Sequence, residues 1–76
     1  MTQKNFGQWL KEKLKQHNVL QQELAKQICV AENTVTSWST GVREPSIRNF
    51  MWICRYIAVL DDVELHVTVM EASEYF

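Results

Sequence analysis

The sequence predicts a mainly α-helical domain of four helices that contains a helix-turn-helix, followed by a C-terminal β-strand that pairs in a homodimer. Three observations support this fold class. Apolar residues recur at helical intervals between residues 6 and 59, residues 21–41 hold two short helical patterns about one turn apart, and residues 61–70 alternate between polar and apolar side chains. The 76 residues are enough for one small domain.

The charges are distributed unevenly along the chain. Residues 1–55 hold all eight Lys and Arg with four acidic residues, a net charge of +4, whereas residues 56–76 hold five acidic residues and no Lys or Arg, a net charge of -5. A basic body with an acidic tail fits contact with phosphates on one side, and the alternative is that the acids only add solubility. Because 46% of the chain is hydrophobic, we expect a partner to cover some of its apolar surface.

Several classes of function find no support in the sequence. There are no paired carboxylates in a cleft pattern, no nucleophile with a base and no Gly-rich phosphate loop, so the chain is predicted not to be an enzyme and to use no cofactor or small-molecule substrate. Cys29, Cys54, His17 and His66 lack metal-ligand spacing. Without a signal peptide or a membrane-spanning apolar run, we expect a cytoplasmic protein with no membrane partner. Both cysteines fall in apolar helical context and are predicted to be buried free thiols, with a disulfide as the alternative.

The first helix is predicted to begin near Thr2, which could cap it, and to end at Asn18. Asn tolerates the left-handed conformation that commonly ends a helix. The buried stripe of this helix recurs every four residues, at Phe6, Leu10 and Leu14.

Two further helices form the predicted helix-turn-helix. The second begins at Gln21, and the third runs from about Glu32 to Thr40. The small Ala25 lets the two helices approach closely. Their apolar stripes are Leu24, Ala25 and Ile28 in the second helix, and Val35 and Trp38 in the third.

The third helix carries a polar face away from its apolar stripe. A helix with a short, free polar face is shaped to enter the major groove of DNA. The alternative from spacing alone is an ordinary helix of a bundle with a solvated face. The polar residues are Glu32, Asn33, Thr36 and Ser37.

Gly41 closes the third helix, and Ser46 is predicted to cap a fourth that runs from Ile47 to about Val59. Trp52 and Tyr56 lie largely outside its apolar stripe, and aromatic residues at this spacing indicate an interface. The alternative is that the C-terminal tail folds back over them. The predicted inward stripe is Ile47, Phe50, Met51, Cys54 and Ile57.

The tail is predicted to be a strand because its apolar residues alternate and are mostly β-branched. A lone strand leaves its backbone unpaired, so the simplest arrangement is antiparallel pairing with the same strand of a second molecule. The rival prediction is a fifth helix. The predicted division is a DNA-binding domain over residues 1–60 and a dimerisation arm over residues 61–76, with an interface formed by Trp52, Tyr56, Val63, Leu65, Val67 and Val69.

Residues from Phe6 to Val59 resemble the lambda-repressor-like (Cro/CI, or XRE) helix-turn-helix family. The resemblance is carried by a spaced set: Gln21, Glu23-Leu24-Ala25, Val30, Thr34-Val35, Trp38, Gly41, Arg43 and Pro45-Ser46. It implies a four-helix fold and a transcriptional regulator that binds double-stranded DNA. It further implies a repressor of phage or mobile-element type, acting as a homodimer on a near-palindromic operator. A protein-interaction module of the same fold, antirepressor-like or antitoxin-like and without DNA binding, is the alternative.

The resemblance also assigns roles by position. The predicted base-contacting residues are Glu32, Asn33, Thr36 and Ser37, and the predicted phosphate-contacting residues are Gln21, Lys26, Thr40, Arg43 and Arg48. Asn33 can pair with adenine at two points. Glu32 either accepts a hydrogen bond from a cytosine amino group or only interacts with the dipole of the first helical turn.

The chain departs from the family pattern at several positions. Cys29 and Ala31 stand in the turn where Gly and a small polar cap are usual, so this turn is expected to be less stable. Leu14 and Ser39 occupy the places of a buried Arg–Glu pair that family members often carry. Both partners are absent together, so no buried charge is left unpaired.

Overall fold

A computed structural model, which describes residues 5–75, shows a succession of five helices. They are α1 (Phe6–Gln16), α2 (Gln21–Gln27), α3 (Glu32–Ser39), α4 (Ile47–Asp61) and α5 (Leu65–Ser73). Helices α2 and α3 form the predicted helix-turn-helix, with α1 packed against α3, and α5 packed against α4. The four predicted helices are therefore present, and the C-terminal segment differs from the prediction.

Local side-chain chemistry sets where the helices begin and end. The side chain of Asn5 accepts a hydrogen bond from the backbone N–H of Gln8, and the Gln8 side chain accepts from the backbone N–H of Asn5, which forms a capping box at α1. Thr2, predicted for a capping role, lies outside the described residues. Asn18 has a φ of 56° just after α1, which confirms the predicted left-handed end. Ser46 caps α4 by accepting from the backbone N–H of Asn49 at 3.2 Å.

One apolar core holds the first four helices together. Trp9 and Leu10 of α1, Leu24 of α2, Val35 of α3 and Ile57 of α4 are almost completely buried. Ala25 is buried at the crossing of α2 and α3, as the close-approach argument requires. Burial of five large apolar side chains contributes roughly 1.5–3 kcal/mol for each of them before entropy is counted.

The inward face of α4 is shifted from the prediction. Ile53, which the predicted stripe did not include, is completely buried, whereas Ile47 and Met51 are exposed, Ile47 with 81% of its surface accessible. Phe50, Ile53 and Ile57 recur at three- and four-residue intervals and define the buried stripe. Met51 lies at the flank of this stripe, and Ile47 is in the first turn of the helix, so the prediction for these two residues is wrong.

The predicted C-terminal strand is also wrong, because residues 65–73 form helix α5 and no strand is found in residues 5–75. The same residues carry a second, helical period: Leu65, Thr68, Val69 and Ala72 recur at three- and four-residue intervals. Thr68 and Ala72 are buried against the rest of the fold, and Val69 packs against the core. A helix pairs its backbone internally, which a lone strand cannot do without a second molecule.

The two cysteines are both free but differ in exposure. Cys54 is completely buried, as predicted, and burial raises the pKa of its thiol to about 11. Cys29 is exposed, contrary to prediction, since it lies in the turn between α2 and α3 with a φ of 61°. This left-handed conformation is unfavourable for a residue with a Cβ.

Candidate nucleic-acid interface

Helix α3 is fixed by its apolar side and leaves its polar side exposed. Val35 and Trp38 are buried in the core. On the opposite side, Glu32, Asn33 and Thr36 are exposed and Ser37 is partly exposed. The predicted base-contacting residues therefore share one accessible face of a helix whose other face is anchored.

A small hydrogen-bond network joins the start of α2 to this face. The amide N–H of Gln21 donates to the hydroxyl of Ser39 at 3.2 Å, and the hydroxyl of Thr36 donates to the amide oxygen of Gln21 at 3.0 Å. Ser39 is buried and also donates to the backbone carbonyl of Thr36. Gln21 is thus held in a fixed orientation between the two helices, and its predicted phosphate contact would come from an ordered side chain.

The side chains on the polar face differ in how free they are. Ser37 donates its hydroxyl to the backbone carbonyl of Asn33 at 2.9 Å, and Thr36 is committed to Gln21 and to the carbonyl of Glu32. Both hydroxyls therefore keep only acceptor capacity. The Asn33 amide makes no hydrogen bond to any residue in the described part of the chain, so both its donor and its acceptor are free for a ligand.

A cleft of 360 Å³ lies between α3 and the loop that follows it. Asn33 and Ser37 line one side, and Arg43 lines the other, so two predicted base contacts and one predicted phosphate contact share one surface. The backbone N–H of Arg43 donates to the carbonyl of Ser37 at 3.2 Å, which attaches the loop to α3. Thr34 and Val42 also line this cleft, and neither was predicted to contact DNA.

The remaining predicted phosphate contacts are spread around α3. Thr40 ends the helix, and its hydroxyl donates to the carbonyl of Thr36 at 2.9 Å. Lys26 is exposed on α2. Arg48 is exposed at the start of α4 and lines a different cleft, together with Cys29 of the turn. The three predicted cations, Lys26, Arg43 and Arg48, thus lie on α2, on the loop after α3 and on α4, and Arg43 and Arg48 line different clefts.

The residues predicted to form a dimer interface fall into two groups. Trp52 of α4 is 44% exposed, and Val63, Leu65 and Val67 are exposed around the start of α5. Tyr56 and Val69 instead pack partly against the core of their own chain. Burial, followed by the nearby Glu23 carboxylate, raises the pKa of the Tyr56 hydroxyl. The exposed large apolar residues of α4, α5 and the loop between them are Ile47, Met51, Trp52, Val59, Val63, Leu65, Val67 and Met70.

Part of the acidic tail folds back onto α1 rather than facing solvent. Lys13 donates to Asp61 at 2.9 Å and contacts Glu71 at 3.2 Å. His17 contacts the other oxygen of Asp61, and the indole N–H of Trp9 donates to Glu71 at 2.9 Å. These contacts join α1 to the end of α4 and to α5, and they pair Lys13 with carboxylates of its own chain.

The network shifts the ionisation of its members. Burial opposes the charge on Asp61, but hydrogen bonds from Lys13 and His17 outweigh it, so the pKa of Asp61 lies below its usual value. Burial likewise lowers the pKa of Lys13, but the two carboxylates outweigh it and the pKa is raised. Both groups are therefore stabilised in their charged forms.

Other sites find no support in the described residues. Among residues 5–75 there is no cluster of three His, Cys, Asp or Glu side chains that could hold a metal ion. None of the five helices is long and apolar enough to cross a membrane.

The chain matches a known family of proteins. A family model described as helix-turn-helix matches residues 10–59, which is more than half of the 76-residue chain. The match spans most of α1, all of α2 and α3, and α4 up to Val59. No curated protein and no solved structure matches the chain.

Proposed function

Because the chain belongs to the lambda-repressor-like (XRE) helix-turn-helix family of DNA-binding transcription regulators, we propose that it binds specific double-stranded DNA sites through α3. The observation that supports this best is the exposed polar face of α3, carried on a helix whose other side is buried in the core. We further propose a repressor of the Cro/CI type. That type, and an origin in a phage or mobile element, rest on the resemblance alone.

Asn33 is the residue best suited to read a base. Its amide is exposed and unpaired within residues 5–75, so its oxygen can accept from the N6 amino group of adenine while its N–H donates to N7. Thr36 and Ser37 offer hydroxyl oxygens as acceptors beside it. In this arrangement Glu32 accepts a hydrogen bond from the amino group of cytosine, or else its carboxylate only interacts favourably with the helix dipole in the first turn of α3.

The phosphate contacts are proposed to flank this face on both sides. Gln21 is oriented by Thr36 and Ser39, while Thr40 and Arg43 lie at the other end of α3. Lys26 and Arg48 add positive charge on the neighbouring helices. Contacts of this kind fix the orientation of α3 on the duplex and release counterions, so the affinity is expected to fall steeply as salt rises.

We propose that two chains associate through the exposed apolar surface of α4 and α5. Met51 and Trp52 of α4 line one groove with Leu65 of α5, and an exposed apolar patch of this kind marks an interaction site. Since residues 65–73 are helical, the contact would be between helices and not between strands, and the arm of residues 61–76 contributes α5. A twofold dimer places its α3 helices in successive major grooves, about 34 Å apart, on a near-palindromic operator. Occupation of that operator would then block transcription.

Selection of bound duplexes from a random DNA library tests the function directly. An enriched inverted repeat with half-sites one helical turn apart supports a dimeric DNA reader. Asn33→Ala should then lose about 1–3 kcal/mol on the selected operator and relax one base position, because one two-point contact is removed. Gln16→Ala, which removes an exposed amide from α1, is the control and should bind normally. Equal loss on every sequence would show that Asn33 does not read bases.

The alternative is a protein-interaction module that uses the same fold without DNA. The exposed apolar residues of α4 and α5, and the acidic Glu32 on α3, favour it. The same selection separates the two functions. If folded protein enriches no duplex, and no salt-sensitive binding is found, the DNA-binding proposal is wrong and the apolar surface becomes the primary site.

A further inference from the structure

Gly7 lies in the first turn of α1, buried against the C-terminal end of α3. A Cβ atom at this position would lie 2.5 Å from the backbone oxygen of Trp38 and 2.7 Å from that of Ser39. Both distances are shorter than real Cβ atoms show, and the atoms in the way are backbone atoms that cannot rotate aside. Glycine is a poorer helix former than alanine, so the close approach of α3, and not helix formation, accounts for glycine here.

The part of α3 that touches Gly7 leads into the proposed phosphate-contacting loop. The carbonyl of Trp38, which the added Cβ would strike, accepts the backbone N–H of Gly41 at 3.2 Å. Gly7, Trp38, Gly41 and Arg43 also line one cleft of 120 Å³ between α1 and this loop. The seating of α3 on the backbone of α1 therefore also fixes the turn from which Arg43 projects.

We propose that Gly7 is a positioning residue for DNA recognition, because its missing side chain sets how deeply the end of α3 seats on α1. The inference rests on the proposed DNA-binding function. To restore an ordinary contact of 3.4 Å in place of 2.5 Å, a methyl group must displace the end of α3 or α1 by about 0.9 Å. Hydrogen bonds tolerate about 0.5 Å of variation in length, so the contacts of Asn33 and Arg43 could not all be kept.

The test compares Gly7→Ala with the wild type on the selected operator and on a random duplex. We expect Gly7→Ala to lose at least about tenfold in affinity for the operator, since 1.4 kcal/mol corresponds to tenfold. Its affinity for the random duplex should change less than about threefold, because that binding depends on phosphates and not on the placement of α3. Amide resonances of residues 37–43 should shift in the NMR spectrum of the free protein.

A control variant separates positioning from a general loss of stability. Ile57→Val removes one methyl group from the buried face of α4, which is a different helix from the two that meet at Gly7, so it should weaken the fold without changing the operator-to-random affinity ratio. If Gly7→Ala is unfolded, all three proteins are compared in an osmolyte such as trimethylamine N-oxide, which favours the compact state.

Two results would overturn the proposal on Gly7. One is an operator-to-random ratio for Gly7→Ala equal to that of the wild type or of Ile57→Val. The other is a loss on both duplexes alike, without shifts in residues 37–43. Failure of the DNA-binding function is recognised separately, because the wild type itself would then enrich no duplex.

Discussion

Thr68→Val tests the packing of α5 against the rest of the fold. Only 1% of Thr68 is exposed, and its hydroxyl oxygen has no hydrogen-bond partner among residues 5–75. Valine has the same branched shape with a methyl group in place of the hydroxyl, and its helix propensity is close to that of threonine. The substitution therefore changes mainly the cost of burying an unpaired polar group.

The size of the effect follows from that cost. Mutational data give about 1–3 kcal/mol for a hydroxyl buried without a partner, and this penalty disappears in Thr68→Val. We therefore expect the free energy of unfolding to rise by about 1–3 kcal/mol. In a domain of this length each kcal/mol raises Tm by about 4–8 °C, so Tm should rise by at least about 4 °C.

Urea and thermal unfolding, followed by circular dichroism at one protein concentration, measure both quantities. Thr68→Ser is the matched variant, because it keeps the hydroxyl, loses the methyl group and should be less stable than the wild type. A Thr68→Val protein that is less stable than the wild type would refute the reasoning. It would show that the hydroxyl donates to a carbonyl of its own helix.

Two further predictions concern the acidic cluster and the dimer. The pKa of Asp61 is lower in the folded state than in the unfolded state. Its ionised form therefore adds to the free energy of unfolding above the unfolded pKa of about 4, and this stabilisation is lost as pH falls through the lower folded pKa. Asp61→Asn should therefore be about 1–2 kcal/mol less stable than the wild type at pH 7, and it should lose less stability than the wild type below pH 4. Urea unfolding at a series of pH values measures both. Parallel curves of unfolding free energy against pH for the two proteins would contradict this prediction. Val67→Glu, on the exposed surface of α5, should give monomers in sedimentation and weaker operator binding, with the fold intact. A dimeric Val67→Glu protein would move the interface away from α5.

The contacts that could not be predicted from the sequence share one property, which is that the two residues in each contact lie far apart in the chain. Glu71 accepts from Trp9 across 62 positions, and Asp61 accepts from Lys13 across 48. Gly7 carried a detectable signal, since an isolated glycine within an apolar helical pattern often marks a close approach. Nothing local to it could identify the end of α3 as the surface it approaches.

The sequence by itself determined the features that depend on local interactions. The first four helices, the helix-turn-helix and the polar face of α3 follow from side-chain periodicity. The left-handed end at Asn18 and the cap at Ser46 follow from the conformations and hydrogen bonds that these residue types favour. Each of these requires only neighbours within a few positions.

Only the tertiary structure decided the features that depend on what a segment packs against. The tail carries both a period of two and a helical period, and the helix forms because α5 packs against α4, buries Thr68 and Ala72, and accepts a hydrogen bond at Glu71 from Trp9 of α1. The packing of whole helices likewise determines that Cys29 is exposed and that there is no room for a Cβ atom at Gly7. Periodicity in the sequence indicates which side of a segment is apolar. Whether that segment forms a strand or a helix depends on the part of the fold against which its apolar side packs.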